Sequence, residues 1–209
     1  MYNDITGIIL SGGKSTRMGK DKSFLKLNNR FVIEHISDLM KSIFKDVIII
    51  TNETDKYEFL GLKCNEDIVK GIGPLGGIHS GLTHSGNELN FVISCDLPFI
   101  TIDVIEFILN NRQDYDAVIT RADGFIQQLC GFYRKKLLPQ IEKFIDASSE
   151  EETRNNEQEK RKCRVLSLIE CVNAKIIDIE NIYPSYKNGT FFNMNNYEDY
   201  ENALKILSI

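Results

Sequence analysis

Short apolar runs alternate with amphipathic stretches along the first two thirds of the chain. Thr6 to Leu10, Asp46 to Thr51, Asn90 to Cys95 and Asp116 to Thr120 are short and rich in Ile, Val and Phe. Continuous runs of that kind suit parallel strands buried on both faces. Between them, Phe31 to Ile43, Gly77 to His84 and Ile102 to Asn110 carry apolar residues at helical spacing. The rhythm predicts an α/β fold with a Rossmann-like, doubly wound, mostly parallel sheet covered by helices. Such sheets bind ligands beyond the carboxyl ends of their strands. Functional residues are therefore expected just after each run, where the Gly12 loop, Asn52 and Asp96 stand.

The last third is less regular. Asp146 to Lys162 reads DASSEEETRNNEQEKRK, almost wholly polar, as in a solvated helix end or a polar loop or insertion. An apolar pattern follows through Leu166, Leu168 and Ile169, then a strand candidate at Lys175 to Ile179. A final helix is expected from near Asn195, because Asn195 and Glu198 have the spacing of a capping box. No internal repeat is visible, and 209 residues suit a single domain.

Composition narrows the function. A net charge of -5 argues against nucleic-acid binding, which normally needs a basic excess. No apolar run approaches a membrane span, and the opening MYND has no signal-peptide character, so a cytoplasmic protein is expected. The five cysteines, Cys64, Cys95, Cys130, Cys163 and Cys171, form no C-x-x-C pair and suggest neither a disulfide framework nor zinc. His35, His79 and His84 are scattered and read as structural.

Against that acidic background, Ile8 to Lys22 (IILSGGKSTRMGKDK) is locally basic. An apolar run ends in Gly12 and Gly13, and Lys14, Arg17, Lys20 and Lys22 follow. Paired glycines let backbone N–H groups approach an anion, and a guanidinium grips phosphate through two parallel bonds. This is not a P-loop, since the position where that motif needs its first glycine is Ile8. The spacing Gly71, Gly73, Gly76 matches a dinucleotide fingerprint, but NEDIVK before it is no apolar strand and Pro74 interrupts it. Asp96, directly after a buried run and before Pro98, suits Mg2+, which takes hard oxygen ligands; the alternative is a cap for the helix beginning near Thr101. Asp67 either accepts from a ribose hydroxyl or caps the next helix. Asn193, Asn195 and Asn196 supply amides of which one serves as a cap and the others suit a polar heterocycle. In DGFIQQLCGFY, Gln127 and Gln128 sit in a strand-like apolar segment, where a buried amide needs either a ligand or the backbone as partner.

Taken together, these segments resemble the molybdenum cofactor guanylyltransferases. LSGGKSTRMGKDK stands for the family's LAGGxSxRMGxDK, GPLGG for GPLAG, CDLP for CDxP, DGFIQQL for DGxxQPL and NMNNYED for NxNTPED. The resemblance runs over nearly the whole chain. It implies a three-layer α/β/α nucleotidyltransferase fold and Mg2+-dependent transfer of GMP from GTP to molybdopterin, with release of pyrophosphate. It further implies that Leu10, Ser11, Gly12, Gly13, Lys22, Asn52, Asp67 and Asp96 hold GTP, and that Asp96 also holds the metal. Arg17 and Lys22 would neutralise the triphosphate, Asn193 and Asn195 would lie toward the pterin, and cofactor-delivering or molybdoenzyme-maturation proteins would be partners. Ser11 and Gly76 replace Ala; Gln128 replaces Pro; Asn196 and Tyr197 replace Thr and Pro. Relatives that use CTP tend to show LAAG where this chain has LSGG, so Gly12 favours a purine. The competing readings are a cytidylyl- or sugar-phosphate nucleotidyltransferase on the same fold, and a non-catalytic nucleotide-binding module.

Overall fold

The structure is a computed structural model describing residues 1–12, 22–151 and 165–207. In chain order its elements are β1 (Tyr2–Leu10), β2 (Lys26–Leu27), β3 (Arg30–Phe31), α1 (Val32–Ile43), β4 (Phe44–Ile50) and β5 (Lys63–Asn65). There follow α2 (Pro74–His84), β6 (Leu89–Ser94), α3 (Ile102–Asn110), β7 (Ala117–Ala122), β8 (Phe125–Arg134) and α4 (Leu138–Glu151). The chain continues with α5 (Val165–Cys171), β9 (Ala174–Asp178), α6 (Ile179–Ile182) and α7 (Tyr197–Leu207).

The seven-stranded sheet has the order β5-β4-β1-β6-β8-β7-β9, with β2 and β3 forming a separate hairpin. Strands β5, β4, β1 and β6 are mutually parallel, β8 is antiparallel to both its neighbours, and β9 is parallel to β7. The chain leaves β1 for β4 on one side and later returns to place β6 on the other. That reversal opens a crevice beyond the carboxyl ends of β1 and β6.

Alternation along the strands divides the interior. Ile5, Ile9, Phe91, Ile93 and Val118 face α1 and α3, whereas Ile8, Leu10, Val92 and Ile119 face α2, α4 and α5. A third cluster, Leu27, Val32, Met194 and Ala203, seats α7 and the segment before it against the β2–β3 hairpin. Helix α1 buries Val32, Ile33, Ile36, Met40 and Ile43, the stripe its sequence announces. On the opposite face α2 lies so close that a Cβ on Gly81 would stand 2.6 Å from Ile8 Cγ2. No helix among the described residues is long and apolar enough to cross a membrane.

Two boundaries differ from expectation. Helix α2 starts at Pro74, a turn before Gly77, because Gly73 takes φ 74° and the fixed φ of proline suits a first helical position. Helix α7 starts at Tyr197, and its box is Asn196 with Asp199 rather than Asn195 with Glu198. Asp199 N–H donates to Asn196 Oδ1 at 2.9 Å, and Asn196 N–H to Asp199 Oδ2 at 3.0 Å. The polar segment from Asp146 is helical through Glu151; the remainder to Lys162 lies outside the described residues, as do Gly13, Lys14, Arg17, Lys20 and Cys163.

Candidate functional site

Parallel register brings the site residues to one rim. Leu10 is paired with Ile50 on one side and Ser94 on the other, and Ile50 with Asn65. The ladder runs one residue further, through Ser11 N–H to Ile50 O (2.9 Å), Thr51 N–H to Asn65 O (2.9 Å) and Cys95 N–H to Leu10 O (3.1 Å). One step beyond stand Asp67, Asn52, Gly12 and Asp96, each two residues past its own registered position. Four candidates separated by up to 84 positions are thus a single row, because equal offsets from a parallel register end on the same edge.

At one end of the row Asn52 and Asp67 hold each other. Asn52 Nδ2 donates to Asp67 Oδ2 at 2.8 Å, and Asp67 N–H returns a bond to Asn52 Oδ1 at 3.3 Å. Asp67 Oδ1 is shielded from solvent and has no hydrogen-bond partner among the described residues. A carboxylate oxygen in that state can accept from a donor that a ligand brings. The capping alternative for Asp67 fails, since Gly73 is the residue ahead of α2.

At the other end Asp96 lies in the turn after β6. Ser94 Oγ donates to Asp96 Oδ1 at 2.6 Å, and Met194 N–H donates to the Asp96 carbonyl at 3.1 Å. Burial pushes the Asp96 carboxyl above the usual range, while the Ser94 hydroxyl and the positive charge of Lys22 pull it back. Lys22 Nζ donates to Asn195 Oδ1 at 3.0 Å, which ties the residue following the glycine loop to the segment before α7. Helix α3 is capped by Thr101, whose Oγ1 accepts from Val104 N–H at 3.4 Å, so Asp96 is not spent as a cap.

Beside Asp96 opens a cleft of about 200 Å3, lined by Ser94, Leu97, Ile126, Gln127, Gln128 and Asn193 among others. All of these are uncharged, and three carry side-chain amides. Gln127 Nε2 donates to Ala122 O at 3.2 Å, so the backbone supplies part of the partner its amide needs. The register of β8 slips here, Thr120 pairing with Gln127 but Ile119 with Gly131, so that Gln128 rides on a bulge. The Tyr133 hydroxyl, donating to Gln128 O at 2.6 Å, holds that bulge.

The residues described bring together Leu10, Ser11, Gly12, Lys22, Asn52, Asp67, Asp96, Asn193 and Asn195; Gly13 and Arg17 lie outside them. No group of three His, Cys, Asp or Glu able to hold a metal exists among the described residues. His35 bonds Leu27 O at 3.0 Å. Sequence reasoning missed Ser23, Tyr57 and Ser94. Ser23 and Tyr57 lie in short 3-10 turns with no periodicity to expose them, although Ser94 stands two residues before Asp96.

Comparison with known proteins bears on this arrangement. Residues 7–161 match the family model described as the MobA-like NTP transferase domain. A protein of Carboxydothermus hydrogenoformans named "Probable molybdenum cofactor guanylyltransferase" is 34% identical over 207 residues, 99% of this chain and 98% of that one. The chain belongs to the molybdenum cofactor guanylyltransferase family. A like-named member from Peptoclostridium acidaminophilum is 36% identical over 93% of this chain and 86% of its own. In fold, the chain is similar to molybdopterin-guanine dinucleotide biosynthesis protein A of Archaeoglobus fulgidus, with a TM-score of 0.77, 22% identity and 97% and 98% of the two chains covered. As a molybdenum cofactor guanylyltransferase family member the chain is a nucleotidyltransferase, and the row from Asp67 to Asp96 lies on the rim where a doubly wound sheet binds its ligands.

Proposed function

We propose that the protein transfers GMP from GTP to the terminal phosphate of molybdopterin, forming molybdopterin guanine dinucleotide and releasing pyrophosphate. The observation that carries this reading is the single row at the carboxyl rim of the sheet, where parallel register sets Gly12, Asn52, Asp67 and Asp96 side by side and Lys22, bonded to Asn195, adds a cation for phosphate. Asn52 and Asp67 at the far end of the row offer amide and carboxylate groups to the nucleoside. The neutral, amide-lined cleft beside Asp96 suits an uncharged heterocycle better than a second highly charged body.

Mg2+ fits Asp96. The carboxyl is half-buried and its pKa is raised by desolvation, so a bound cation would favour its charged form. Among the described residues it belongs to no cluster of three potential metal ligands, as suits an ion that keeps several waters and takes its other ligands from substrate phosphates. Bound there, Mg2+ would supply charge neutralisation to the triphosphate.

In the reaction an acceptor phosphate oxygen forms a bond to the α-phosphorus of GTP, and the bond from that phosphorus to the α–β bridging oxygen breaks. Pyrophosphate leaves with the electron pair. An ionised phosphate is already a nucleophile at neutral pH, so the chain's contribution is alignment and electrostatics rather than proton removal. Lys22, with Arg17 beyond the described residues, would neutralise the transferred and departing phosphates, and Ser94 would hold the Asp96 carboxylate in one orientation.

The test is to supply purified protein with molybdopterin, Mg2+ and either GTP or CTP and to follow pyrophosphate and dinucleotide. Pyrophosphate is expected with GTP and a tenfold or greater deficit, on the order of 1.4 kcal/mol in the barrier, with CTP. Equal rates with CTP would remove the guanylyl assignment, and no pyrophosphate with either would remove the activity.

A further inference from the structure

Beneath the nucleotide rim three hydroxyls are buried together. Ser11 Oγ lies 2.8 Å from both Ser23 Oγ and Tyr57 Oη, and Tyr57 Oη donates to Ser23 Oγ at 3.1 Å. Cys95 Sγ reaches the same group, 3.4 Å from Ser23 Oγ. Ser11, Ser23 and Tyr57 are 1%, 2% and 1% exposed, so bulk water does not serve them and each bond within the group counts. Each serine and the cysteine adjoins a residue of the site: Ser11 precedes Gly12, Ser23 follows Lys22 and Cys95 precedes Asp96. Tyr57 comes from the turn Thr54–Leu60 that follows Asn52. The triangle therefore gathers the segments that present the row, and closes only when the strand end at Ser11 and the turn at Lys22–Phe24 keep their spacing.

We propose that Tyr57 is a positioning residue for the nucleotide site, setting Gly12 and Lys22 relative to one another through Ser11 and Ser23. The inference rests on the reading of those segments as nucleotide ligands. Tyr57 touches no reacting group. Its ring is held by packing, 5.2 Å centroid to centroid from Phe24, so the hydroxyl is separable from the ring.

Tyr57→Phe keeps the ring and leaves Ser11 and Ser23 one partner short. The expected result is a rise of about three- to tenfold in the dissociation constant and KM for GTP with Mg2+, because misplacing a binding group by a fraction of an ångström weakens it steeply. Ser23→Ala should reproduce the effect, and Ser23→Thr, which retains the hydroxyl, should restore most of the affinity. In a Lys22→Ala background Tyr57→Phe should add less than about twofold, since effects relayed through one group are not additive. A loss of melting temperature with unchanged affinity, or full additivity with Lys22→Ala, would overturn the proposal. Amide exchange of the ligand-free protein separates it from the assignment of the reaction. Ser11 N–H and Leu25 N–H, bonded to Ile50 O and Lys22 O, should exchange several-fold faster in Tyr57→Phe and in Ser23→Ala. Unchanged exchange in both variants overturns the positioning role even if GTP is the substrate; faster exchange in a protein that binds no GTP supports the clamp and refutes the reaction instead.

Discussion

At the scale of single residues, Asp96 sets function against stability. Burial raises its carboxyl pKa, opposed by the Ser94 hydroxyl and Lys22. The folded chain then holds that proton more tightly than the unfolded chain, so Asp96 makes stability fall as pH rises from the ordinary carboxylate value through the raised one. Asp96→Asn is expected to lose about 10²- to 10³-fold in pyrophosphate release, as removing one preorganised electrostatic group does. At neutral pH and without ligand it should melt no lower than the parent, and its melting temperature should lack the parent's decline between acid and neutral pH. Wild-type turnover in the variant would end the metal assignment. Lys22 is one of the groups that pull the Asp96 carboxyl down, so in Lys22→Ala the acid limb of the rate profile should move to higher pH. A limb that stays in place would show that the residual rate does not depend on Asp96 ionising.

At the scale of elements, the start of α7 shows why spacing alone cannot choose a cap. Asn195 with Glu198 and Asn196 with Asp199 satisfy the same rule, one residue apart. What decides is tertiary: Lys22 Nζ takes the Asn195 side-chain carbonyl, and Met194 is fully buried against Leu27 and Val32, which rotates Asn196 to the cap. Asn196→Ala should therefore cost about 1 kcal/mol in urea or thermal unfolding, and Glu198→Ala less than about 0.5 kcal/mol. The opposite ranking would mean that the box is read from the wrong pair. Helix α2 was partly hidden for a similar reason. Its glycine-rich opening reads as a loop, and the use of Gly81, whose Cβ would meet Ile8 Cγ2 at 2.6 Å, appears only when helix and strand are seen in contact. The stripe of α1, by contrast, needs no partner to be recognised.

For the whole molecule, the legible part of the site follows from the sheet. The strand ends ahead of Gly12, Asn52 and Asp96 can be read from apolar runs, whereas β5, which brings Asp67 to the same edge through parallel register, is three residues long and has no apolar run to announce it. The buried hydroxyls of Ser23 and Tyr57 and the amide cleft at Gln128 were not legible as a set. They are assembled from turns and from a bulge in an antiparallel strand, and no sequence period encodes either. The row also predicts how ligand and fold are linked. A nucleotide reaching from Asp67 and Asn52 to Lys22 and Asp96 joins segments that meet only in the native sheet, so the unfolded chain has no equivalent site and binding adds fully to stability. GTP at about 100 times its dissociation constant should contribute roughly 2.7 kcal/mol, which for a chain of this length is a rise of about 5 to 10 °C in Tm. Because the half-buried Asp96 carboxylate needs a cation to offset its desolvation, most of that rise should require Mg2+ and should disappear in Asp96→Asn. CTP at the same concentration should give a smaller shift. A rise of equal size without Mg2+ would place the triphosphate on the cations alone and leave Asp96 outside the binding step.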